Sequence, residues 1–448
     1  MMMNGLTLTL PRIGALRPRS VTEIAGSNWT LGCEVLDRDF ADYQQYKEYI
    51  APLGIKTIRL QGGWAKCEKV PGVYDFAWLD TIIDDAKSRG LNILLETDYG
   101  NPIYPGGGGF DLAGGFPTSE EALAAWDRWV EAMARHFQGR VRDWAMWNEP
   151  DINPQHTPED IARFNIRTAA IIRRIIPDAR IAGLSLASAA PQFFDRCLKV
   201  LAAEGALDWF EWFIYHCYDR NPDLSYARTE LLEDILKKHR ARAKLRQGES
   251  GCPSEATHRF ALAGYPWTEL SQCKWNLRRY LGDLGHGYES AVFTICDFNH
   301  IGREINRKGL LRADETHRVL GPKPAYFAVQ HMAALFDNQL ETLCGAAAAL
   351  IGEKSYCYAC RRYDGAGGLV VAWNCSAVPS ESTEPQPGSI VVRGLPFREP
   401  VYCELISGAV YALPDGAFRQ MDDLAIFHNV PLWDSPVVIA EKAILPLA

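Results

Sequence analysis

From Ser27 to about Asp337 short apolar runs alternate with amphipathic stretches, the pattern of parallel strands each followed by a helix. Eight runs read as strands: Thr30 to Val35, Thr57 to Gln61, Asn92 to Glu96, Asp143 to Trp147, Arg180 to Leu186, Trp212 to His216, Lys244 to Gly248 and Ala291 to Ile295. Between them apolar residues recur at helical spacing over Phe76 to Arg89, Ser119 to Phe137, Pro158 to Ile176 and Pro191 to Glu204. Thr118-Ser119 opens the second of these, with acidic residues in its first turn. Eight strand–helix units fit a (β/α)8 TIM barrel better than an open, doubly wound sheet. The run Gly106 to Gly109 leads into Phe110 and Asp111 rather than a helix start, so it reads as a flexible loop and not a dinucleotide-binding turn.

Beyond Asp337 the helical period fades. Ser355 to Arg361, Gly368 to Trp373, Ser389 to Val392 and Val401 to Leu405 alternate with Gly, Pro, Asn and Asp clusters, the texture of an antiparallel β-sandwich. Ser380 to Gly388 reads as a polar surface loop, and Thr7 to Leu10 as one further strand of this sheet. The expected organisation is a lead-in over 1–26, a barrel over 27–337 and a β-sandwich over 338–448.

Composition narrows the partners. The 448 residues are 47% hydrophobic and 23% charged, as in ordinary globular proteins. A net charge of −8 with no basic stripe argues against nucleic acid or an anionic membrane surface. The first twenty residues lack a continuous apolar core and no run reaches about 18 apolar residues, so neither a secretory signal nor a membrane span is expected. The twelve cysteines are scattered, which reads as reduced thiols in a cytoplasmic protein.

Active sites of such barrels lie at the C-terminal ends of the strands. Strand four ends in Trp147-Asn148-Glu149-Pro150, where Pro150 stops the chain and leaves Glu149 at the mouth. Strand seven ends in Gln247-Gly248-Glu249-Ser250-Gly251. The two strands stand nearly opposite, so Glu149 and Glu249 face each other across the mouth. A pair of carboxylates so placed suits a retaining glycosidase, whose nucleophile and acid/base flank an acetal carbon about 5–5.5 Å apart.

The Trp-Asn-Glu-Pro motif with a second glutamate on strand seven resembles clan A of the retaining glycoside hydrolases. Arg59 at the end of strand two and the pair His216 and Tyr218 at the end of strand six match further clan positions. The segment Gly63 to Asp80, with Trp64, Glu68 and Gly72-Val73-Tyr74-Asp75, resembles family 39, of β-xylosidase and α-L-iduronidase type. The resemblance covers roughly residues 27 to 337. It implies Glu149 as acid/base, Glu249 as nucleophile, Asn148 as donor to the sugar 2-hydroxyl, Arg59 beside the nucleophile and Tyr218 bonded to it, with no metal and no cofactor.

One departure stands out: the clan's strand-eight tryptophan is missing, the segment reading Phe293-Thr294-Ile295-Cys296-Asp297-Phe298-Asn299-His300. The loop Cys296 to His300 is therefore expected to hold the sugar through Asp297 or Asn299, with Trp64 as the alternative floor. Trp64, Tyr99, Asn101 and Tyr104 lie in loops where aromatic and amide groups suit sugar binding, and packing suits them equally. Cys33, Cys67, Cys217, Cys252 and Cys296 fall near strand ends without metal-ligand spacing and read as apolar filler. The expected substrate is an oligosaccharide or small glycoside, attacked from its end, with β-xyloside leading. The β-glucoside, β-galactoside and α-L-arabinopyranoside specificities, transglycosylation, and a non-catalytic carbohydrate-binding barrel remain as alternatives, and the oligomeric state is open.

Overall fold

The structure, a computed structural model, describes residue 6 and residues 8–300, 304–350 and 352–448. Eight parallel strands close into a barrel: β1 (Trp29–Gly32), β2 (Thr57–Gln61), β3 (Asn92–Thr97), β4 (Asp143–Met146), β5 (Arg180–Leu186), β6 (Trp212–His216), β7 (Lys244–Ser250) and β8 (Glu289–Val292). Closure comes from β1 pairing with β8 at Trp29 with Ser290, Thr30 with Ala291 and Leu31 with Val292. That register places β8 two residues earlier than its apolar run suggests. Phe293 and Ile295 instead donate their N–H groups to Ser250 and Gly32 carbonyls at the rim.

The helices follow the expected pattern. Glu120–Phe137 is capped by Ser119, whose hydroxyl accepts from the Ala122 N–H, and Glu120 and Glu121 sit favourably in its first turn. Its apolar stripe packs Trp126 and Trp129 against Trp64 and Trp147 in one aromatic cluster.

The C-terminal region holds a seven-stranded and a four-stranded antiparallel sheet, a β-sandwich. The N-terminal strand that joins it is Arg12–Ala15, paired with Ala409–Ala412, not Thr7 to Leu10; Thr7 lies outside the described residues. Pro11 has no N–H to give to a ladder, so pairing starts after it. The loop expected over Ser380 to Gly388 ends sooner, because Gln386–Arg393 is a strand in which Pro387 faces Pro431. The Gly106 to Gly109 loop is tightly bonded: the Gly107 N–H donates to the Tyr104 carbonyl and the Gly109 N–H to the Gly114 carbonyl, at 2.8 and 2.6 Å. A Cβ at Gly107 would lie 2.1 Å from the Asn101 carbonyl oxygen, so glycine there serves close backbone approach.

Barrel and sandwich meet along the helix Glu269–Gly285, which is buried along nearly its whole length. Lys274 donates to the Ser380 and Ser382 carbonyls and pairs with Asp434 at 2.7 Å. Arg278 binds Asp223, Asn221 and the Ala377 carbonyl, and Trp373 of the sandwich donates to Asp223 at 2.9 Å. Among the described residues no helix is long and apolar enough to cross a membrane.

Candidate active site

The end of β4 turns sharply. Trp147 and Glu149 both adopt left-handed backbone, with φ of 63° and 47°, a conformation that costs of order 1–3 kcal/mol for a non-glycine residue. Pro150 then opens a short 3-10 turn to Ile152, and the Glu149 N–H donates to the Ser185 carbonyl at 2.8 Å. The turn aims Asn148 and Glu149 into the mouth.

On the far side, β7 carries an irregularity against β6 that brings Glu249 opposite His216. Gly248 makes this possible, since a Cβ there would lie 2.2 Å from Ile214 Cγ2. The polar composition of β7 also finds its use: Arg246 stacks on Trp212 and bonds Thr30, and the Gln247 side chain accepts from the Ala291 N–H.

The two carboxylates meet in a cavity of about 750 Å³. Oxygens of Glu149 and Glu249 and a ring nitrogen of His216 lie within 4.8 Å of one another. Glu249 accepts from Arg59 Nη1 at 3.0 Å and from the Tyr218 hydroxyl at 2.9 Å. Arg59 Nη2 donates to Asn148 Oδ1 at 2.7 Å, and Asn148 Nδ2 donates to the Tyr99 hydroxyl. His216 Nδ1 bonds Glu149 Oε1 at 2.8 Å and stands 3.9 Å from Glu249.

These environments push the two acids apart. Burial raises the pKa of Glu149, and the charge of Glu249 adds to the rise against the hydrogen bond from His216. For Glu249 burial also acts upward, but the charges of His216 and Arg59 and the bonds from Arg59 and Tyr218 outweigh it, and the net shift is downward. His216 is raised because the two glutamates overcome its burial. One carboxyl is thus disposed to hold a proton while its neighbour is ionised.

Five of the residues expected to contact sugar lie elsewhere: Trp64, Asn101, Tyr104, Asp297 and Asn299. Trp64 is fully buried, and with Tyr104 it bonds the Glu68 carboxylate while Asn101 donates to the Glu68 carbonyl. Glu68 is a buried acid that needs donors, and these residues supply them. Asp297 is also buried, paired with Lys323 at 2.6 Å and Arg307 at 3.2 Å, and bonded by the Gly309 N–H. Asn299 lines a different cleft, beside Thr257 and Glu304.

The cavity wall contains residues the sequence reading passed over. Phe293 and Phe298 pack edge to face at 5.8 Å and both line the cavity, so phenylalanines occupy the strand-eight side. Glu34, which follows β1, Gln61 at the end of β2, and Arg38 form a polar wall. Lys308 is only 2% exposed, and burial brings its ammonium down to about 8. The strand-end position of Glu34 and Phe293 is a signal that could have found them. Lys308 had none, because its loop reaches the mouth only through tertiary folding.

Glu149, His216 and Glu249 also have the donor atoms of a cation site. Arg59 already occupies one Glu249 oxygen and His216 occupies Glu149, so the set is engaged by protein donors. All twelve cysteines are free; of the five near the mouth, Cys217 lines the cavity and accepts from Arg228 at 2.9 Å, and the thiols of Cys33, Cys67, Cys252 and Cys296 are driven upward by burial.

A family 39 glycoside hydrolase from Bacteroides cellulosilyticus WH2 superposes with a TM-score of 0.68, over 93% of this chain and 81% of that one, at 17% identity. The chain has the family 39 glycoside hydrolase fold. A monomeric beta-xylosidase from Caulobacter crescentus CB15 matches 96% of this chain and 97% of its own, with a TM-score of 0.58 and 15% identity. A family model described as beta-galactosidase, of glycoside hydrolase family 42, matches residues 39–104. Beta-galactosidase BgaA of Clostridium cellulovorans is 39% identical over 62 residues, 14% of this chain and 9% of that protein.

Proposed function

We propose that the chain is a retaining glycoside hydrolase that cleaves short β-glycosides, with β-xylosides the leading substrates. The observation that carries the proposal is the pair Glu149 and Glu249, with oxygens within 4.8 Å and pKa values displaced in opposite directions. Inverting enzymes need about 6.5–9.5 Å between carboxyls to admit water, whereas a short separation suits direct attack on the anomeric carbon.

In this mechanism Glu249, ionised and held by Arg59 and Tyr218, forms a bond to the anomeric carbon while Glu149 gives its proton to the departing oxygen. With the charge of Glu249 consumed by the glycosyl ester, the pKa of Glu149 falls and it accepts a proton from the incoming water. Attack by that water frees the sugar with retained configuration. In this reading Asn148, which bonds Arg59 and Tyr99, donates to the 2-hydroxyl, and Phe293 with Phe298 forms the apolar floor. A β-galactoside specificity is the second reading, supported by the beta-galactosidase match over residues 39–104.

A panel of aryl glycosides tests the reading and selects the sugar. With the accepted glycone, Glu149→Ala should lower turnover of poor leaving groups by about 10²–10⁴-fold and spare dinitrophenyl glycosides, which need no proton. An equal loss across the series removes Glu149 from the acid role, and no turnover of any glycoside favours a binding barrel.

A further inference from the structure

Arg59 is fully buried and faces three carboxylates at once: Glu34 Oε1 at 2.7 Å and Glu249 Oε2 at 3.0 Å on Nη1, and Glu96 Oε1 at 2.9 Å on Nε. Even with the raised His216 beside Glu249, two cations face Glu34, Glu96, Glu249 and Glu149, and like charges that share a site force the surplus carboxyls to stay neutral. Glu249 must be ionised to attack. Glu96 lies beneath Arg59 and away from the cavity, whereas Glu34 lines the cavity and can exchange a proton with it. The position of Glu34 is built: its carboxylate folds back over Gly32, where a Cβ would lie 2.4 Å from Oε2, and Thr294 Oγ1 approaches the same oxygen at 3.4 Å.

We infer that Glu34 is a proton reservoir for the covalent step, protonated in the free enzyme and ionised once Glu249 carries the sugar. The inference rests on the glycosidase reading above. When the Glu249 carboxylate becomes an ester, one negative charge leaves the Arg59 cluster. Glu34 then releases its proton through the cavity to solvent and takes the vacated share of Arg59. When water cleaves the ester, Glu249 is again an anion and Glu34 takes a proton back. The charge around Arg59 stays constant through the cycle, so departure of the Glu249 carboxylate is not opposed by an ionised Glu34.

The electrostatics agree with this placement. Burial brings the Glu34 carboxyl up to about 7, Arg59 opposes the rise, and the charges of Glu249 and Glu96 add to it. Tyr218, Cys33, Cys296 and Tyr46 are the other titratable groups that sense Glu34, and burial pushes each of them upward and keeps it neutral. Arg38 is engaged by Asp37 and Gln61. His216 and Lys308 respond to Glu249 but do not bond Glu34.

Glu34 acts through Arg59 and Glu249, so its test counts protons. A 2-fluoro dinitrophenyl glycoside of the accepted sugar is reacted stoichiometrically with the Glu149→Gln variant, in dilute buffer with a pH indicator, between about pH 6 and 6.5. The leaving group departs as dinitrophenolate, so the chemistry itself neither releases nor consumes a proton. Release should exceed that of the Glu149→Gln, Glu34→Gln double variant by more than about half a proton per label. Mass spectrometry establishes that Glu249 is labelled in both. Equal release from the two labelled proteins overturns the reservoir, and so does a neutral Glu34 carboxyl band in the infrared spectrum that persists after labelling. Failure of Glu249 to label strikes the glycosidase reading instead.

Discussion

Two buried charged networks can be compared: the cluster around Arg59 at the barrel mouth and the seam around Arg278 between barrel and sandwich. In the seam, Arg278 meets one carboxylate, Asp223, and its other donors reach Asn221 and the Ala377 carbonyl, while Trp373 takes the second Asp223 oxygen. Charges and donors are matched. At the mouth, Arg59 meets Glu34, Glu96 and Glu249, and Lys308 stands nearby without an ion pair among the described residues. The matched network holds two regions together, and the unmatched one stores displaced pKa values of the kind that acid–base chemistry requires.

The largest effects should separate the two networks. Arg278→Met leaves Asp223 buried without its cation and should cost about 3–5 kcal/mol in denaturant unfolding, with turnover per folded molecule unchanged. Arg59→Met should abolish most turnover yet cost less stability, because Glu34 and Glu249 line the cavity and Glu96 is already raised by burial, so these carboxyls can take up protons in place of the lost charge. Equal stability losses with equal turnover losses would erase the distinction.

The pH profile of kcat/KM sharpens it. Glu249, lowered by His216 and Arg59 despite its burial, should as the proposed nucleophile set an acid limb below the usual glutamate range. Glu149, raised by burial and by Glu249, should as the proposed acid set an alkaline limb above that range, since rising pH would strip the proton. The alkaline limb should vanish in Glu149→Ala measured with a dinitrophenyl glycoside. A profile flat from the acid side through neutrality would contradict the displacement.

A smaller effect belongs to the apolar floor. Phe293→Ala removes a ring beyond β8 that packs on Phe298, and should weaken kcat/KM by about 0.5–1.5 kcal/mol beyond the lost area, roughly two- to tenfold. The loss should be similar for sugars that differ at one hydroxyl; a strongly unequal loss would mean that polar residues, not the floor, read this side of the sugar.

The same contrast explains what could be read before folding. The eight barrel strands were legible because short runs alternate with helical periodicity and breakers. That spacing marks even β7, which Lys244, Arg246 and Gln247 make polar. Glu149 and Glu249 were legible because Pro150 and Gly248 fix their strand ends. Arg59, His216 and Tyr218 followed from the resemblance to clan A, whose positions they match on β2 and at the end of β6. Asp297 has the same strand-end signature as Glu249, and only the arrival of Lys323 and Arg307 from later in the chain turns it into an ion-pair residue. Trp64 is likewise claimed by Glu68 and by Trp126 and Trp129 on the helix Glu120–Phe137. Residue type at a strand end marks candidates, and the partners supplied by distant segments decide which of them face the cavity.

The central claim, that Glu149 and Glu249 act as a retaining pair, is tested most directly by the anomeric configuration of the first product. Proton NMR of hydrolysis of an accepted aryl β-glycoside, recorded before mutarotation, should show the β-anomer first and the α-anomer only later. First appearance of the α-anomer would mean inversion, and would contradict direct attack by Glu249.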